Sequence, residues 1–227
     1  TERSIVLIFD EVFVGFRIAY GGAQEYFGVA ADMVTYGKTL GGGLPVGVVC
    51  GKHHLMKRFR DDRPTAICFA RGTFNSHPAV MGTITEFLRR IEEPEIRESY
   101  RSAEKLWNER AQVLNQRLSE AGLPVAVANL CSIWTIIYTQ PGRYNWMFQY
   151  YLRDQGLALS WIGTGRFIFS HNFTDADFAA VSDRFVAAAK AMEADGWWWQ
   201  PQSGLSNRSI KRQVLKELVG VRFGKQP

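Results

Sequence analysis

Two residues within the first forty positions carry the strongest chemical content: an acid closing an apolar run and a lysine opening a glycine cluster. Residues 4–9 read SIVLIF and are closed by Asp10 and Glu11. Residues 32–36 read DMVTY and lead into Gly37, Lys38 and Thr39, then Gly41, Gly42 and Gly43. An aspartate at a strand end has three readings. It is a solvated loop acid or cap, or the magnesium-holding acid of a nucleotide hydrolase, or it works with Lys38. The hydrolase reading fails because the phosphate loop needs glycine at position 32, where Asp32 stands, and because such a loop precedes the acidic strand. The third reading joins Asp10 to Lys38 across the two strand ends.

Strands must hold both groups. Short continuous apolar runs read as buried, parallel strands, so residues 4–9, 32–36 and the VGVVCG run after Pro45 predict part of an α/β sheet with functional groups at strand ends. Pro78 opens a helix to about Ile91, because a first-turn N–H is not needed there. Pro94 opens another, in which Ile96, Tyr100, Ala103, Trp107, Leu114, Leu118 and Ala121 share a face until Gly122 and Pro124 end it. Residues 125–138 read as strand, 145–155 as helix, and 157–161 and 166–170 as strands. Thr174 before an acidic first turn begins a helix with Phe178, Val181, Phe185, Ala188 and Met192 on one side. The second half is thus α+β.

Composition narrows the function classes. Of 227 residues, 46% are hydrophobic and 22% charged, too apolar for a disordered chain. No apolar run reaches the roughly 18 residues of a spanning helix, and no basic segment precedes the first apolar stretch, so a cytoplasmic protein without a membrane partner is expected. Cys50, Cys68 and Cys131 are odd in number and far apart, which argues against a disulfide framework; His53, His54, His77 and His171 lack metal-ligand spacing, so no metal is expected. The formal net charge of +5 resides in the last 28 residues, where Arg208, Lys211, Arg212, Lys216, Arg222 and Lys225 face only Glu217. A neutral body with a basic appendage argues against a nucleic-acid partner. Trp197, Trp198 and Trp199 are expected to cover core or interface.

Four segments in order, LIFDEVFVGFR, GGAQEYFGVAADMVTYGKTLGGGLPVG, RGTFNSHP and LRDQGLALSWIGTGRFIFSHNFTDADF, resemble the pyridoxal-phosphate-dependent aminotransferases of fold type I, class III, especially the glutamate-1-semialdehyde aminomutase branch. The resemblance spans about residues 4–193. It implies the C-terminal part of that family's large domain, a mostly parallel sheet with helices (residues 1–93), then a connecting helix and α+β small domain (94–199) and a basic tail (200–227). It further implies pyridoxal 5'-phosphate as cofactor, held by Lys38 as a Schiff base, with Lys38 also moving the substrate proton. Asp10 faces the pyridine nitrogen and keeps it protonated. Val12, on the same strand side as Asp10, packs on the ring. Thr73, with the adjacent Gly72, binds the phosphate of a neighbouring subunit's cofactor, which makes a homodimer with shared sites the expected assembly. Arg166 is a candidate for a substrate carboxylate. The glycines after Lys38 are structural. The substrate is a small amino or oxo compound, free or tethered to a carrier.

Only nine residues precede Asp10. The family's phosphate turn and ring-stacking aromatic lie upstream of the aspartate strand. The expectation is therefore the C-terminal portion of a longer polypeptide, truncated, cleaved or part of a multidomain synthase, or a half that assembles with an N-terminal partner, with an apolar sheet edge left exposed. The alternative is a non-catalytic fragment serving as an interaction module.

Overall fold

The computed structural model describes residues 5–68, 72–159, 165–198 and 206–222. In chain order the elements are β1 (Ile8–Asp10), α1 (Gly22–Phe27), β2 (Met33–Gly37), β3 (Gly47–Gly51), α2 (Pro78–Arg90), α3 (Pro94–Glu120), β4 (Val125–Leu130), β5 (Ile133–Tyr138), α4 (Phe148–Asp154), β6 (Arg166–Ile168), α5 (Asp175–Ala194) and α6 (Asn207–Arg222). Short 3-10 turns cover Lys38–Gly41 and Asn145–Met147. Two compact units, Thr1–Lys105 and Leu106–Pro227, divide inside α3. No helix among the described residues is long and apolar enough to cross a membrane.

In the first unit the strand order is β1-β2-β3. β1 and β2 run parallel, with Asp10 opposite Thr35. β3 runs antiparallel to β2, Gly37 opposite Gly47. The sheet expected to be mostly parallel is therefore mixed over these strands. The cause is chain length: a parallel crossover needs a dozen or more residues, and residues 38–46 are too few. β1 also differs from expectation. It spans only three residues, and the apolar run around it is exposed, with Ile5 at 64% and Ile8 at 56% of their full accessibility. An apolar strand is buried only where other layers face it, and β1 is an edge strand whose hydrogen-bonded neighbour is β2 alone among the described strands. The buried groups lie beyond it: Ile18, Ala19, Ala23, Val34, Leu40 and Ile91. Phe16 links them, its ring 5.4 Å from Tyr36 and 5.3 Å edge-on from Phe87 of α2.

The second unit is an antiparallel β4-β5-β6 sheet. The β4–β5 turn places Cys131 at φ 50°, and Trp134 donates its indole N–H back to the Cys131 carbonyl at 3.1 Å. Trp107 of α3, Trp134 of β5, Phe169 and Phe178 of α5 form one aromatic cluster, with Trp107 stacked on Phe169 at 4.9 Å and edge-on to Trp134 at 6.1 Å. Rings of this size dominate a small core's energetics. Phe178, Phe185, Ala188 and Met192 of α5 are buried as the periodicity predicts, and Thr174 forms a capping box with Asp177. Trp198 packs on Phe148 at 5.2 Å and donates its indole N–H to Ala189, while Trp199 lies outside the described residues. Two expectations change. Residues 157–159 are irregular rather than strand, and 160–161 lie outside the described residues. The basic tail contains α6, with exposed Val214, Leu215, Leu218 and Val219 among its cations. Ile210, Val214, Leu215, Leu218 and Val219 recur at helical spacing there, a pattern the expectation of a plain basic tail passed over.

Candidate functional site

The first unit gathers Asp10, Val12 and Lys38 at one end of its parallel strand pair. β1 ends at Asp10 and β2 ends at Gly37, so Lys38 begins the 3-10 turn directly beyond the neighbouring strand. The carboxyl ends of adjacent parallel strands are where α/β sheets present reactive groups.

Each side chain has a local cause for its position. Asp10 is exposed, and its Oδ1 accepts two hydrogen bonds, from the Val12 N–H at 3.0 Å and from the Thr35 hydroxyl at 3.1 Å. The first is the bond an aspartate makes to the N–H two residues on. Oδ2 has no hydrogen-bond partner among the described residues. Val12 stands against Gly37: a Cβ on that glycine would come within 3.2 Å of Val12 Cγ1 and 3.0 Å of the Val46 carbonyl. Glycine therefore lets the β2 end pass close under Val12.

Lys38 has φ 45°, in the left-handed region that a lysine occupies at a cost of about 1–2 kcal/mol. Its Nζ lies 5.8 Å from the centre of the Phe13 ring, and no carboxylate among the described residues lies within ion-pair distance of it. The side chain is exposed here, so the burial expected to tune a reactive lysine is not supplied by the described residues. α2 packs against the turn that carries it, with Gly42 facing Thr83.

Glu11 behaves differently from its neighbour. It is 1% exposed, and its carboxylate accepts the backbone N–H groups of Ala23 at 2.7 Å and Gln24 at 3.3 Å in the first turn of α1. Gly22, at φ 72°, is obligatory beside it, since a Cβ would fall 1.9 Å from Glu11 Oε2. Burial, and then the Glu11 charge, push the Tyr36 phenol above its ordinary proton affinity.

Gly72 and Thr73 stand elsewhere. They lie exposed in the turn before α2 and line an open groove of about 1020 Å³ together with Met33, Lys57, Cys68 and Asn75. Neither Lys38 nor Asp10 lines that groove. Arg166 opens β6 in the second unit, opposite Thr135, with its side chain exposed. Within the first unit the structure thus brings Asp10, Val12 and Lys38 to the same strand ends and places Gly72 and Thr73 on a groove that neither Asp10 nor Lys38 lines, while Arg166 belongs to the second unit. Sequence reasoning passed over Thr35 and Phe13, and named Glu11 only as part of the acidic pair, not as the buried acceptor of α1. Thr35 was readable only through the β1–β2 register, which no hairpin fixes in a parallel pair.

Comparison with known proteins gives a consistent picture. A family model described as Aminotransferase class-III matches residues 1–189. The glutamate-1-semialdehyde 2,1-aminomutase of Methanococcus vannielii is 39% identical over 137 residues, which are 60% of this chain and 30% of that protein. That of Geotalea daltonii is 37% identical over 146 residues, 64% of this chain and 33% of the relative. The chain therefore matches about a third of the length of these curated relatives. Among solved structures, an omega-transaminase from Sphaerobacter thermophilus superposes with a TM-score of 0.70 at 26% identity, over 83% of this chain and 45% of that one. A β-phenylalanine aminotransferase from Variovorax paradoxus does so with a TM-score of 0.66 at 24% identity, over 86% and 46%. At that last identity the likeness is one of fold.

Proposed function

The chain belongs to the class-III aminotransferase family, and from that premise we propose that it supplies the lysine-bearing part of a pyridoxal-phosphate site that transfers an amino group to, or within, a small amino or oxo compound. The observation that carries this reading is the arrangement at the parallel strand ends. Asp10 holds one carboxylate oxygen on Val12 and Thr35 and keeps the other without a partner among the described residues, while Lys38 leaves the end of the adjacent strand at φ 45° with its amine over the Phe13 ring and no carboxylate among the described residues within ion-pair distance. A left-handed φ at a non-glycine residue, which Lys38 shares with Phe16, Ser76 and Cys131, accords with a functional constraint and does not establish one.

The residues fit the cofactor. When bound, pyridoxal 5'-phosphate supplies a carbonyl for an amine and an electron-withdrawing ring that acidifies the substrate carbon. Lys38 Nζ would be the attachment point and would move a proton at that carbon. Asp10 Oδ2 would meet the ring nitrogen and hold a proton on it, since a nearby anion favours the charged form of a base. Val12, seated over Gly37, would pack on the ring. Gly72 and Thr73 serve the phosphate in the site of a partner subunit, which their separation from Lys38 in the groove supports. Arg166 is a candidate for a substrate carboxylate. In this reading residues 1–93 belong to the large domain, 94–199 to the connecting helix and small domain, and 200–227 to an appendage. The protein works as a cytoplasmic homodimer together with the polypeptide that completes its large domain. The relatives named as glutamate-1-semialdehyde aminomutases support transfer within one molecule.

The test is a pyridoxal-phosphate titration of this chain and of the full-length polypeptide carrying it, followed by borohydride reduction and peptide mapping, with Lys38→Ala in parallel. A label on the Lys38 peptide that disappears in the variant is the expected result. A label in the longer polypeptide alone makes this chain an incomplete site. Absence of label from both overturns the catalytic reading in favour of an interaction module.

A further inference from the structure

We propose that Thr35 is a positioning residue of this site, its hydroxyl aiming the Asp10 carboxylate at the cofactor's ring nitrogen; this rests on the roles of Asp10 and Lys38 given above. The β1–β2 register sets Thr35 directly beside Asp10, and Thr35 Oγ1 donates to Asp10 Oδ1 at 3.1 Å. The Val12 N–H donates to that same oxygen at 3.0 Å. Both restraints fall on Oδ1, so turning the carboxylate about its axis breaks two bonds, and Oδ2 is the oxygen left to meet a ligand. The two donors do different work. Val12 ties the carboxylate to its own strand end. Thr35 ties it to β2, the strand that continues through Tyr36 and Gly37 into Lys38. The hydroxyl therefore fixes the acid relative to the element that delivers the amine. A β-branched residue suits the task, because its χ1 is confined and the hydroxyl direction with it.

Valine at position 35 keeps shape and strand preference and removes only the donor, whereas serine keeps the donor and loses the branch. The full-length polypeptide is therefore compared as wild type, Lys38→Ala, Thr35→Val, Thr35→Ser, Asp10→Asn and the double variant that combines Thr35→Val with Asp10→Asn. The readouts are the pyridoxal-phosphate dissociation constant, the pH midpoint of the bound cofactor's visible absorbance, and the thermal unfolding midpoint. Losing a hydrogen bond to a charged group predicts about tenfold weaker cofactor binding in Thr35→Val, with a displaced pH midpoint. Thr35→Ser should bind as wild type. In the Asp10→Asn background Thr35→Val should cost no further affinity, because the hydroxyl acts through the carboxylate.

A purely structural threonine gives another pattern: both substitutions lower the thermal midpoint, and the cofactor constant and pH midpoint stay put. That pattern overturns the proposal, as does a Thr35→Val penalty that persists undiminished in the Asp10→Asn background. If Lys38→Ala and Asp10→Asn themselves leave cofactor binding unchanged, the functional reading falls and this one with it. If they abolish binding while Thr35→Val matches wild type, only the role of Thr35 falls.

Discussion

Asp10 and Glu11 are consecutive carboxylates in opposite surroundings, and their substitutions should separate stability from function. Glu11 is buried and satisfies two N–H groups of α1, so Glu11→Ala leaves both donors without a partner inside the protein. The expected cost is about 2–3 kcal/mol in urea unfolding, with Glu11→Gln losing less because the amide keeps one acceptor. Asp10 is exposed, and Asp10→Asn should change stability by no more than about 0.5 kcal/mol while sharply weakening cofactor binding. Equal stability losses at the two positions would contradict this division. Lys38 adds the converse case. Its φ of 45° suits glycine, so Lys38→Gly should remove cofactor attachment without lowering the unfolding free energy, the relief of strain offsetting glycine's entropic cost of about 0.5–1 kcal/mol. A clear destabilisation in that variant would show that the turn is not strained.

At the scale of elements, the helices were legible because their ends carry local chemistry. Pro78 and Pro94 open α2 and α3, and Thr174 with Asp177 caps α5, all within four residues of the boundary they set. Thr174→Ala should therefore cost about 1 kcal/mol, read as a lower thermal midpoint, and an unchanged midpoint would remove the cap from the account. α2 also has a pH signature. Arg89 and then Arg90 bond the Glu86 carboxylate and hold its pKa down from 4.5 to about 2. A carboxyl depressed on folding stabilises above its unfolded value and loses that contribution as pH falls toward its folded one. The effect of Glu86 should thus be complete above about pH 4.5 and fade down to about 2, with a carboxyl titration midpoint near 2 by NMR and weakening in salt, since the pair is exposed. A midpoint near 4.5 would dissolve the pair. The strands were less legible than the helices. Which strands neighbour each other, and in what direction, depends on contacts distant in sequence, so the antiparallel turn to β3 and the pairing of Thr35 with Asp10 could not be read from residues 32–51 alone. Asp10 and Lys38 could be proposed from residue type and position, whereas Thr35 was legible only as a strand former.

At the scale of the whole chain, the two units differ in how they are held. The second encloses Trp107, Trp134, Phe148, Phe185 and Met192 at 1% exposure or less, and the strands β4 and β5 turn Val125, Val127, Trp134 and Ile136 into that core. The first has an edge strand with no buried residue and a third strand, β3, that is exposed along nearly its whole length, with Val49 at 52%. Protection from hydrogen exchange follows buried apolar contact and shielded backbone bonds. Amides of β4, β5 and α5 should therefore exchange slowest, those of β1 and β3 fastest, although both sheets have three strands. The exposed apolar residues Ile5, Ile8, Val49 and Phe74 also predict self-association of the isolated chain, because uncovered apolar surface and an open strand edge favour contact with other molecules. Exchange measured on the isolated chain, and then in the presence of the polypeptide proposed to complete the large domain, decides between two accounts of that surface. Slowing confined to β1–β3, with α5 unchanged, places the added polypeptide on the first unit's exposed sheet. Equal protection of both sheets in the isolated chain would mean that the first unit is already complete, and the site at Lys38 would then have to work with the residues it has.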